Sequence, residues 1–245
     1  MALLLNVPAL FATMGPYDAL GTAWLDYWHG RPVAPLLIHT DYGSVEEMPV
    51  DYFFREADSF PPIERYALSL CRGRVLDVGA GVGKHALMLQ IQGQLVTTLE
   101  ISAAGVEIQR AAGVAHAVQT DYRHYAGQGF DTVLLLMNGI GVVGSLKGLR
   151  DFFKQVKDWI SPAGQLLFDS SDITYLYEDA ARPKDRYYGE VWYQYEYRGR
   201  RSERFSWLYV DEDTVRTVAR EAGWQIQVVF QNDQDQYLVR ATPHS

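Results

Sequence analysis

A short apolar segment that contains one carboxylate, Asp77, is followed by three glycines, Gly79, Gly81 and Gly83. Glycine adopts backbone conformations that other residues avoid and has no side chain to keep a ligand away, so this spacing indicates a loop that approaches a ligand closely. The amide groups at the start of the next helix would face the same ligand. A second carboxylate, Glu100, ends the next apolar segment, where an acid can hold a ribose. Together these residues predict a nucleoside-containing ligand.

Two cofactors compete for this loop. Gly81, Gly83 and Ala86 also satisfy the spacing of a dinucleotide fingerprint, with Glu100 as the ribose acid. Asp77 discriminates between the two, because a carboxylate inside a buried strand is costly unless it is compensated, and a diphosphate would add repulsion. S-adenosylmethionine carries an ammonium and a sulfonium group, which the acid would stabilise. The residues favour this cofactor and leave a nicotinamide-dependent oxidoreductase, or a non-catalytic binding module with the same fold, as alternatives.

The elements around the loop alternate between strand and helix patterns, which is typical of a parallel sheet flanked by helices. The predicted strands are 74–78, 95–99, 117–118, 130–137 and 165–168, and the predicted helices between them are 84–91, 102–112 and 145–160. Further on, the aromatic segments 191–197 and 204–210 enclose a turn signal and predict an antiparallel hairpin. A helix over 212–222 and strands over 225–230 and 236–241 follow.

The first sixty residues have a different pattern. We expect a helix from Tyr17 to Trp28, a loop over 41–51, and a helix that begins at Pro61-Pro62. So many aromatic side chains need something to pack against, so we expect residues 1–60 to form a cap over the ligand edge of the sheet. The predicted domains are therefore this cap and a cofactor-binding domain over 61–245, elaborated at about 173–210.

Four segments together resemble a class I S-adenosylmethionine-dependent methyltransferase over roughly residues 70–172. They are Val75 to Gly83 (VLDVGAGVG), Glu100, Asp121-Tyr122 after the third strand, and Phe130-Asp131 at the start of the fourth. The resemblance implies a Rossmann-like α/β fold. Its sheet would have seven strands, mostly parallel, with helices on both faces and an antiparallel last strand, to which an N-terminal helical lid and the aromatic hairpin are added.

The resemblance also implies roles for the loop residues. Gly79, Ala80 and Gly81 would pass under the methionine part of the cofactor, and Asp77 would bind its ammonium group. Glu100 would accept hydrogen bonds from both ribose hydroxyls. Taken alone, Glu100 at a strand end is more typical of a solvated residue, and it is the presence of Asp77 and the glycines that favours binding.

Two further groups complete the implied cofactor site. Asp121 would meet the adenine amino group and Tyr122 would stack on the ring or contact its edge, although Asp121 also suits a simple turn. Met137, Asn138 and Gly139, just past the fourth strand, would line the cofactor near its reactive methyl group.

The N-terminal segment offers a third contact. Arg55 is a candidate for binding the cofactor's carboxylate, and Tyr52 or Phe54 for covering the sulfonium. The alternative is that this segment only packs the cap. The aromatic hairpin is likewise open between a packed sheet surface and a recognition surface.

Methyl transfer from a sulfonium requires mainly alignment and exclusion of water. A base helps when the acceptor is a hydroxyl or an ammonium group, and candidates follow the carboxyl ends of central strands, where such sheets bind ligands. We assign Asn138 and Asp169 as catalytic candidates, with Asp172 and Tyr175 as further possibilities.

The composition limits which classes of partner the protein is expected to bind. The 245 residues carry a net charge of −8, the wrong sign for a protein that must neutralise nucleic-acid phosphates, so we expect a small-molecule acceptor. The single cysteine, Cys71, cannot form an intrachain disulfide, and the histidines show no pair at metal-ligand spacing, so no metal is expected. We find neither a signal-peptide pattern nor an apolar stretch of the ~20 residues that span a bilayer, and expect a cytoplasmic protein.

Overall fold

The computed structural model describes residues 17–178 and 181–244. In chain order the elements are α1 (Ala19–Trp28), β1 (Leu36–Thr40), β2 (Glu46–Met48), α2 (Pro62–Leu70), β3 (Arg74–Val78), α3 (Lys84–Ile91), β4 (Leu95–Glu100), α4 (Ala103–Ala112), β5 (His116–Gln119), β6 (Phe130–Leu135), α5 (Leu146–Trp159), β7 (Ile160–Ser171), β8 (Glu190–Tyr197), β9 (Arg200–Arg201), β10 (Phe205–Leu208), α6 (Glu212–Glu221), β11 (Trp224–Gln231) and β12 (Gln236–Pro243). Short 3-10 helices cover Val50–Phe54, Ala57–Ser59, Tyr122–His124, Gly139–Val143 and Thr174–Tyr177.

The main sheet has seven strands in the order β11-β12-β7-β6-β3-β4-β5. Strands β3 to β7 pair in parallel, and β12 is antiparallel to both of its neighbours, β7 and β11. The predicted seven-stranded sheet with an antiparallel last strand is confirmed. The two central strands, β3 and β6, are buried along almost their whole length, as expected for strands covered by helices on both faces.

Polar side chains start the helices where the sequence places them. The side chain of Ser102 accepts a hydrogen bond from the amide of Gly105 at the start of α4, and Ser145 does the same for Gly148 at the start of α5. The predicted apolar face of α5 is buried in the core; its members are Leu149, Phe152, Phe153, Val156 and Trp159.

A second, antiparallel sheet lies beside the first, and we call it the accessory sheet. Its order is β10-β8-β1-β2, with β9 paired to β8. The predicted aromatic hairpin is therefore present as β8 and β10. The expectation of a plain loop over 41–51 was wrong, since β2 lies within it, and β1 was missed. β1 is only five residues long, and its pairing with β8 depends on a partner far away in the chain.

The N-terminal helix joins the two sheets. α1 begins close to the predicted residue and packs against α4, β8 and β1. The division of the chain at residue 60 remains a prediction. The expectation about a signal peptide concerns residues 1–16, which lie outside the described residues. None of the described helices combines the length and the apolarity that a bilayer span requires.

Candidate active site

The glycine loop between β3 and α3 turns in the way that its sequence indicates. The φ angles of Gly79, Gly81 and Gly83 are +74°, +56° and +84°, in the left-handed region that favours glycine. A Cβ atom on Gly83 would lie 2.8 Å from the Cγ of Gln109, so this glycine also permits the close approach of α4. The amide of Gly79 donates to the carbonyl of Leu99 at 2.8 Å, which ties the loop to the end of β4.

Asp77 lies beneath this loop in β3 and is only 2% exposed. Its Oδ2 atom is buried and has no hydrogen-bond partner among the described residues. Burial raises the pKa of Asp77 to about 6, and the nearby His85 opposes this rise. An unpaired buried carboxylate is costly, and a cationic ligand group at this point would offset that cost. The residue therefore fits the ammonium-bearing cofactor and not a diphosphate.

Glu100 ends β4 beside the loop and is 7% exposed. Its two oxygens accept hydrogen bonds from the amides of Gly81 and Ser102, each at 2.8 Å. Burial nevertheless raises the pKa of Glu100 to about 7. A carboxylate has about four lone-pair sites, so these two bonds orient the group and leave capacity for two ribose hydroxyls. Two carboxylates now face the glycine loop, which further disfavours a diphosphate.

Sequence reasoning did not single out Trp24, which covers this end of the sheet from α1. Trp24 is 3% exposed, and its ring is in van der Waals range of a Cβ built on Gly81, at 3.7 Å. Its indole Nε1 is buried and has no partner among the described residues. The hydroxyl of Ser102 donates to Asp18 at 2.5 Å, so the start of α1 is attached to the start of α4 beside Glu100. The aromatic content of α1 was the only sequence signal for this contact.

A cluster around the buried carboxylate of Glu64 contains Arg55 and His85. The guanidinium Nη2 donates to both oxygens of Glu64, at 2.9 and 3.3 Å, and His85 contacts the same carboxylate at 2.8 Å. Arg55 also lies over the ring of Tyr52, 3.5 Å from its centroid, while its Nε atom is buried with no partner among the described residues. The predicted pair of Arg55 and Tyr52 is thus brought together.

Sequence reasoning missed Glu64, which is 2% exposed. Burial alone would raise the pKa of Glu64, but the hydrogen bond and charge of His85, together with Arg55, lower it. The sequence signal for the role of Glu64 was the position of an acidic residue on the otherwise apolar face of α2, next to Ile63 and Ala67.

The chain after β6 is held in an unusual conformation. Met137 and Asn138 have φ angles of +65° and +55°, which are uncommon for residues other than glycine. Asp169, at the end of β7, accepts from the amide of Gly139 at 3.2 Å and from the side chain of Gln236 at 2.9 Å. The hydroxyl of Ser171 donates to Asn138 Oδ1 at 2.8 Å. These contacts hold in place the segment Met137 to Gly139, which we call the methyl-side loop because it is predicted to line the cofactor near its methyl group.

Asp169 is completely buried, and burial raises its pKa to about 6. Both of its oxygens accept hydrogen bonds, so the structure gives it a positioning role for the loop. Its role as a base, and that of Asn138, remain predictions. Asp172 accepts from the amide of Thr174 at 2.9 Å and from the hydroxyl of Tyr188 at 2.6 Å, whereas Tyr175 is exposed.

Asp121 and Tyr122 follow β5, at the same edge of the sheet as Glu100. The guanidinium and amide of Arg123 donate to the Asp121 carboxylate and lower its pKa. Tyr122 packs edge-on against Phe152, with ring centroids 5.4 Å apart. The assignment of both residues to the adenine stays a prediction, and it requires adenine to bind beside the Arg123 pair.

Comparisons with known proteins agree with this geometry. A family model described as a methyltransferase domain matches residues 54–229. The crystal structure of a SAM-dependent methyltransferase from Bacteroides fragilis, in complex with S-adenosyl-L-homocysteine, is 33% identical with a TM-score of 0.86, covering 94% of this chain and 98% of that chain. A search of curated proteins finds no significant match.

Two more distant structures share the fold. The CcbJ methyltransferase from Streptomyces caelestis is 15% identical with a TM-score of 0.61, covering 80% of this chain and 95% of that chain. The sugar N-methyltransferase KedS8 from a Streptoalloteichus species is 15% identical with a TM-score of 0.54, covering 83% and 96%.

Proposed function

The chain belongs to the S-adenosylmethionine-dependent methyltransferases, and we propose that it transfers the methyl group of this cofactor to a small-molecule acceptor. The cofactor is that of the family, and the Bacteroides fragilis structure contains the demethylated product of the same cofactor. The observation that carries the assignment in this chain is Asp77, a buried carboxylate with an unpartnered oxygen beneath the glycine loop.

Each cluster at the site has a proposed task. Asp77 binds the ammonium group of the cofactor's methionine part. Arg55 binds the carboxylate of that part through its Nε atom, which has no partner among the described residues. Glu100 binds the ribose hydroxyls, and the loop of Gly79, Ala80 and Gly81 leaves room for the chain between them.

When bound, the cofactor supplies an electrophilic methyl group on a positively charged sulfur. Since positive charge disappears from the sulfur during transfer, the protein's main contribution is to align the acceptor and exclude water. Trp24 covers the glycine loop, and Met137, Asn138 and Gly139 form the opposite wall where the methyl group would lie.

A small-molecule acceptor is supported by the acidic net charge and by the position of the accessory sheet. Side chains of this sheet pack with Ile173, which follows β7, and its Trp207 lies against Gly141, which follows β6. The fold accommodates such acceptors, since KedS8 is described as a sugar N-methyltransferase. The cytoplasmic location expected from the sequence stays a prediction.

Calorimetric titration with S-adenosylhomocysteine tests the cofactor site. We expect Asp77→Asn to weaken binding by about tenfold or more, equivalent to about 1.4 kcal/mol or more. The same variant should leave 5′-methylthioadenosine almost unaffected, because that nucleoside lacks the ammonium group. Asp158→Asn, at an exposed position on α5, is the matched control. Unchanged affinity in Asp77→Asn, or displacement of S-adenosylhomocysteine by NADH, would contradict the proposal.

A further inference from the structure

The inner face of the accessory sheet carries three tyrosines whose hydroxyls form a chain, which we call the phenol cluster: Tyr42, Tyr193 and Tyr209. The Tyr193 hydroxyl lies 3.0 Å from that of Tyr42 and 2.6 Å from that of Tyr209. Tyr193 belongs to β8, while the other two follow β1 and β10. Strand β8 and the segments that follow β1 and β10 thus bring three phenol groups together.

The hydrogen bonds within the cluster leave some of its capacity unused. Three hydroxyls carry three protons, and the two bonds between them use two, so one donor remains in whichever direction the chain of bonds runs. Oxygen lone pairs also remain. Thr40, paired with Tyr193 across β1 and β8, has a buried Oγ1 with no partner among the described residues. This face therefore presents polar groups that the described residues leave unsatisfied.

Trp207 connects the phenol cluster to the methyl-side loop. Its ring stacks on Tyr193, with centroids 6.2 Å apart and planes inclined at 23°. The indole also lies against the backbone of Gly141, where any Cβ atom would overlap it. Gly141 is three residues after Asn138, in the short helix that follows β6. Trp207 therefore links the cluster to the segment that follows Asn138, near which the methyl group is expected.

The charges around the cluster are negative. Among charged side chains, Glu46 acts on Tyr42 and Tyr209, and Asp169 acts on Tyr209. Burial, the largest cause, raises the pKa of all three cluster phenols, so they stay neutral. No lysine, arginine or histidine hydrogen-bonds to the three cluster hydroxyls within 17–178 and 181–244. The surrounding rings offer negative faces to a cation. An anionic acceptor would be repelled here and a cationic one attracted.

We propose that the phenol cluster and Trp207 form the acceptor-binding site and that the acceptor is an amine. The inference rests on the proposed methyl transfer and specifies its substrate class. The phenol oxygens accept hydrogen bonds from the amine N–H groups, and the stacked rings of Tyr193 and Trp207 hold its positive charge before deprotonation.

The transfer balances without a further reactant. The bound ammonium group releases one proton to solvent, and the nitrogen lone pair forms the new N–C bond while the C–S bond breaks and leaves its electron pair on sulfur. The phenol cluster acts by orienting the nitrogen, so its removal should affect the acceptor and not the cofactor.

A panel of matched probes tests the substrate class: benzylamine, benzyl alcohol and benzoate, and glucosamine, glucose and glucuronate. Cofactor binding is first established calorimetrically, and methylation is then followed as S-adenosylhomocysteine release and product mass. We expect methylated amines with kcat/KM at least tenfold above the matched alcohols and acids. Absence of cofactor binding would overturn the proposed function itself. Binding without amine methylation, or with preference for alcohols or acids, would overturn only this inference.

Variants then test the cluster with the best amine found. Tyr193→Phe should lower kcat/KM for the amine about tenfold or more while the affinity for S-adenosylhomocysteine stays within twofold. Tyr66→Phe, at an exposed position on α2, is the control. An unchanged kcat/KM in Tyr193→Phe would overturn the inference, and unchanged cofactor affinity shows that the variant is folded.

Discussion

At the scale of single residues, the site depends on carboxylates whose protonation the fold has altered. Asp77 and Glu100 have pKa values raised by burial to about 6 and about 7, above the values of about 4 expected in an unfolded chain. The folded, ligand-free protein therefore binds protons more strongly than the unfolded chain in this interval. The contribution of these two carboxylates to the stability of the ligand-free protein should therefore rise as the pH falls from about 7 towards 4.

The affinity for the cofactor should change in the opposite direction. The ammonium group needs an ionised Asp77, so we expect the affinity for S-adenosylhomocysteine to fall as the pH drops below about 6, with protons released on binding. Calorimetry at pH 5.5 and 8, in buffers of different ionisation enthalpy, measures both effects. Asp77→Asn should reduce the proton release, while Asp169, whose pKa is also raised to about 6, stays intact in that variant. A pH-independent affinity would contradict the role of Asp77.

Arg55 gives a second prediction at this scale. Arg55→Lys keeps the positive charge but removes the planar fork that Glu64 and the Tyr52 ring hold in place. We expect the affinity for S-adenosylhomocysteine to fall about tenfold and the affinity for 5′-methylthioadenosine, which has no carboxylate, to stay unchanged. Arg216→Lys, on the outer surface of α6, is the matched control. Equal losses for both ligands would show that Arg55 only stabilises the fold.

The cofactor side of the site was accessible from the sequence because its parts are local. The glycine loop and Asp77 lie within seven residues of one another, and Glu100 ends the next strand. Glu64, His85 and Trp24 were missed because their partners come from other elements. Glu64 contacts His85, 21 positions away, and nothing in either local pattern specifies that pair.

At the scale of elements, we expect changes in α1 to affect the cofactor site most. Trp24→Ala removes the ring that lies over the glycine loop, and truncating a buried tryptophan costs about 3–5 kcal/mol of stability. We expect a lower midpoint of urea unfolding and a faster release of S-adenosylhomocysteine, measured by stopped-flow fluorescence. Trp28→Ala, on the exposed side of the same helix, should change both quantities little. Similar effects from the two variants would argue against a covering role for α1.

The local or long-range origin of each element explains which elements could be predicted from the sequence. α5 has a polar N-cap, Ser145, and a periodic apolar face, and α3 lies between two glycines, Gly83 and Gly93. The predicted positions of both helices agree with the structure to within one residue at each end. β1 and β2 have only five and three residues, and each becomes a strand through pairing, β1 with β8 and β2 with β1. Such strands are determined by tertiary pairing, which the order of residues in a short segment does not reveal.

At the scale of the whole molecule, the accessory sheet is built from strands of both predicted domains, 1–60 and 61–245. β1 and β2 come from residues 1–60, whereas β8 and β10 come from the region elaborated at about 173–210, and Leu36 to Thr40 pair in register with Tyr197 to Tyr193. A polypeptide of residues 61–245 would therefore lack two strands of this sheet and the helix that carries Trp24. The phenol cluster would also lose Tyr42.

This arrangement predicts that the chain does not work as two separable parts. We expect fragment 61–245 alone to bind no S-adenosylhomocysteine, because the inner face of β8 and the glycine loop are both left uncovered. A synthetic peptide of residues 17–60 should restore binding by pairing β1 with β8, with an affinity that falls when Ile38 on the buried face of β1 is replaced by Asp. The Leu37→Asp peptide is the control, since Leu37 is only half-buried and its side chain points to the other face of the sheet. Cofactor binding by the fragment alone with the affinity of the full chain would show that residues 1–60 are an independent cap, and that α1 and β1 are dispensable for the cofactor site.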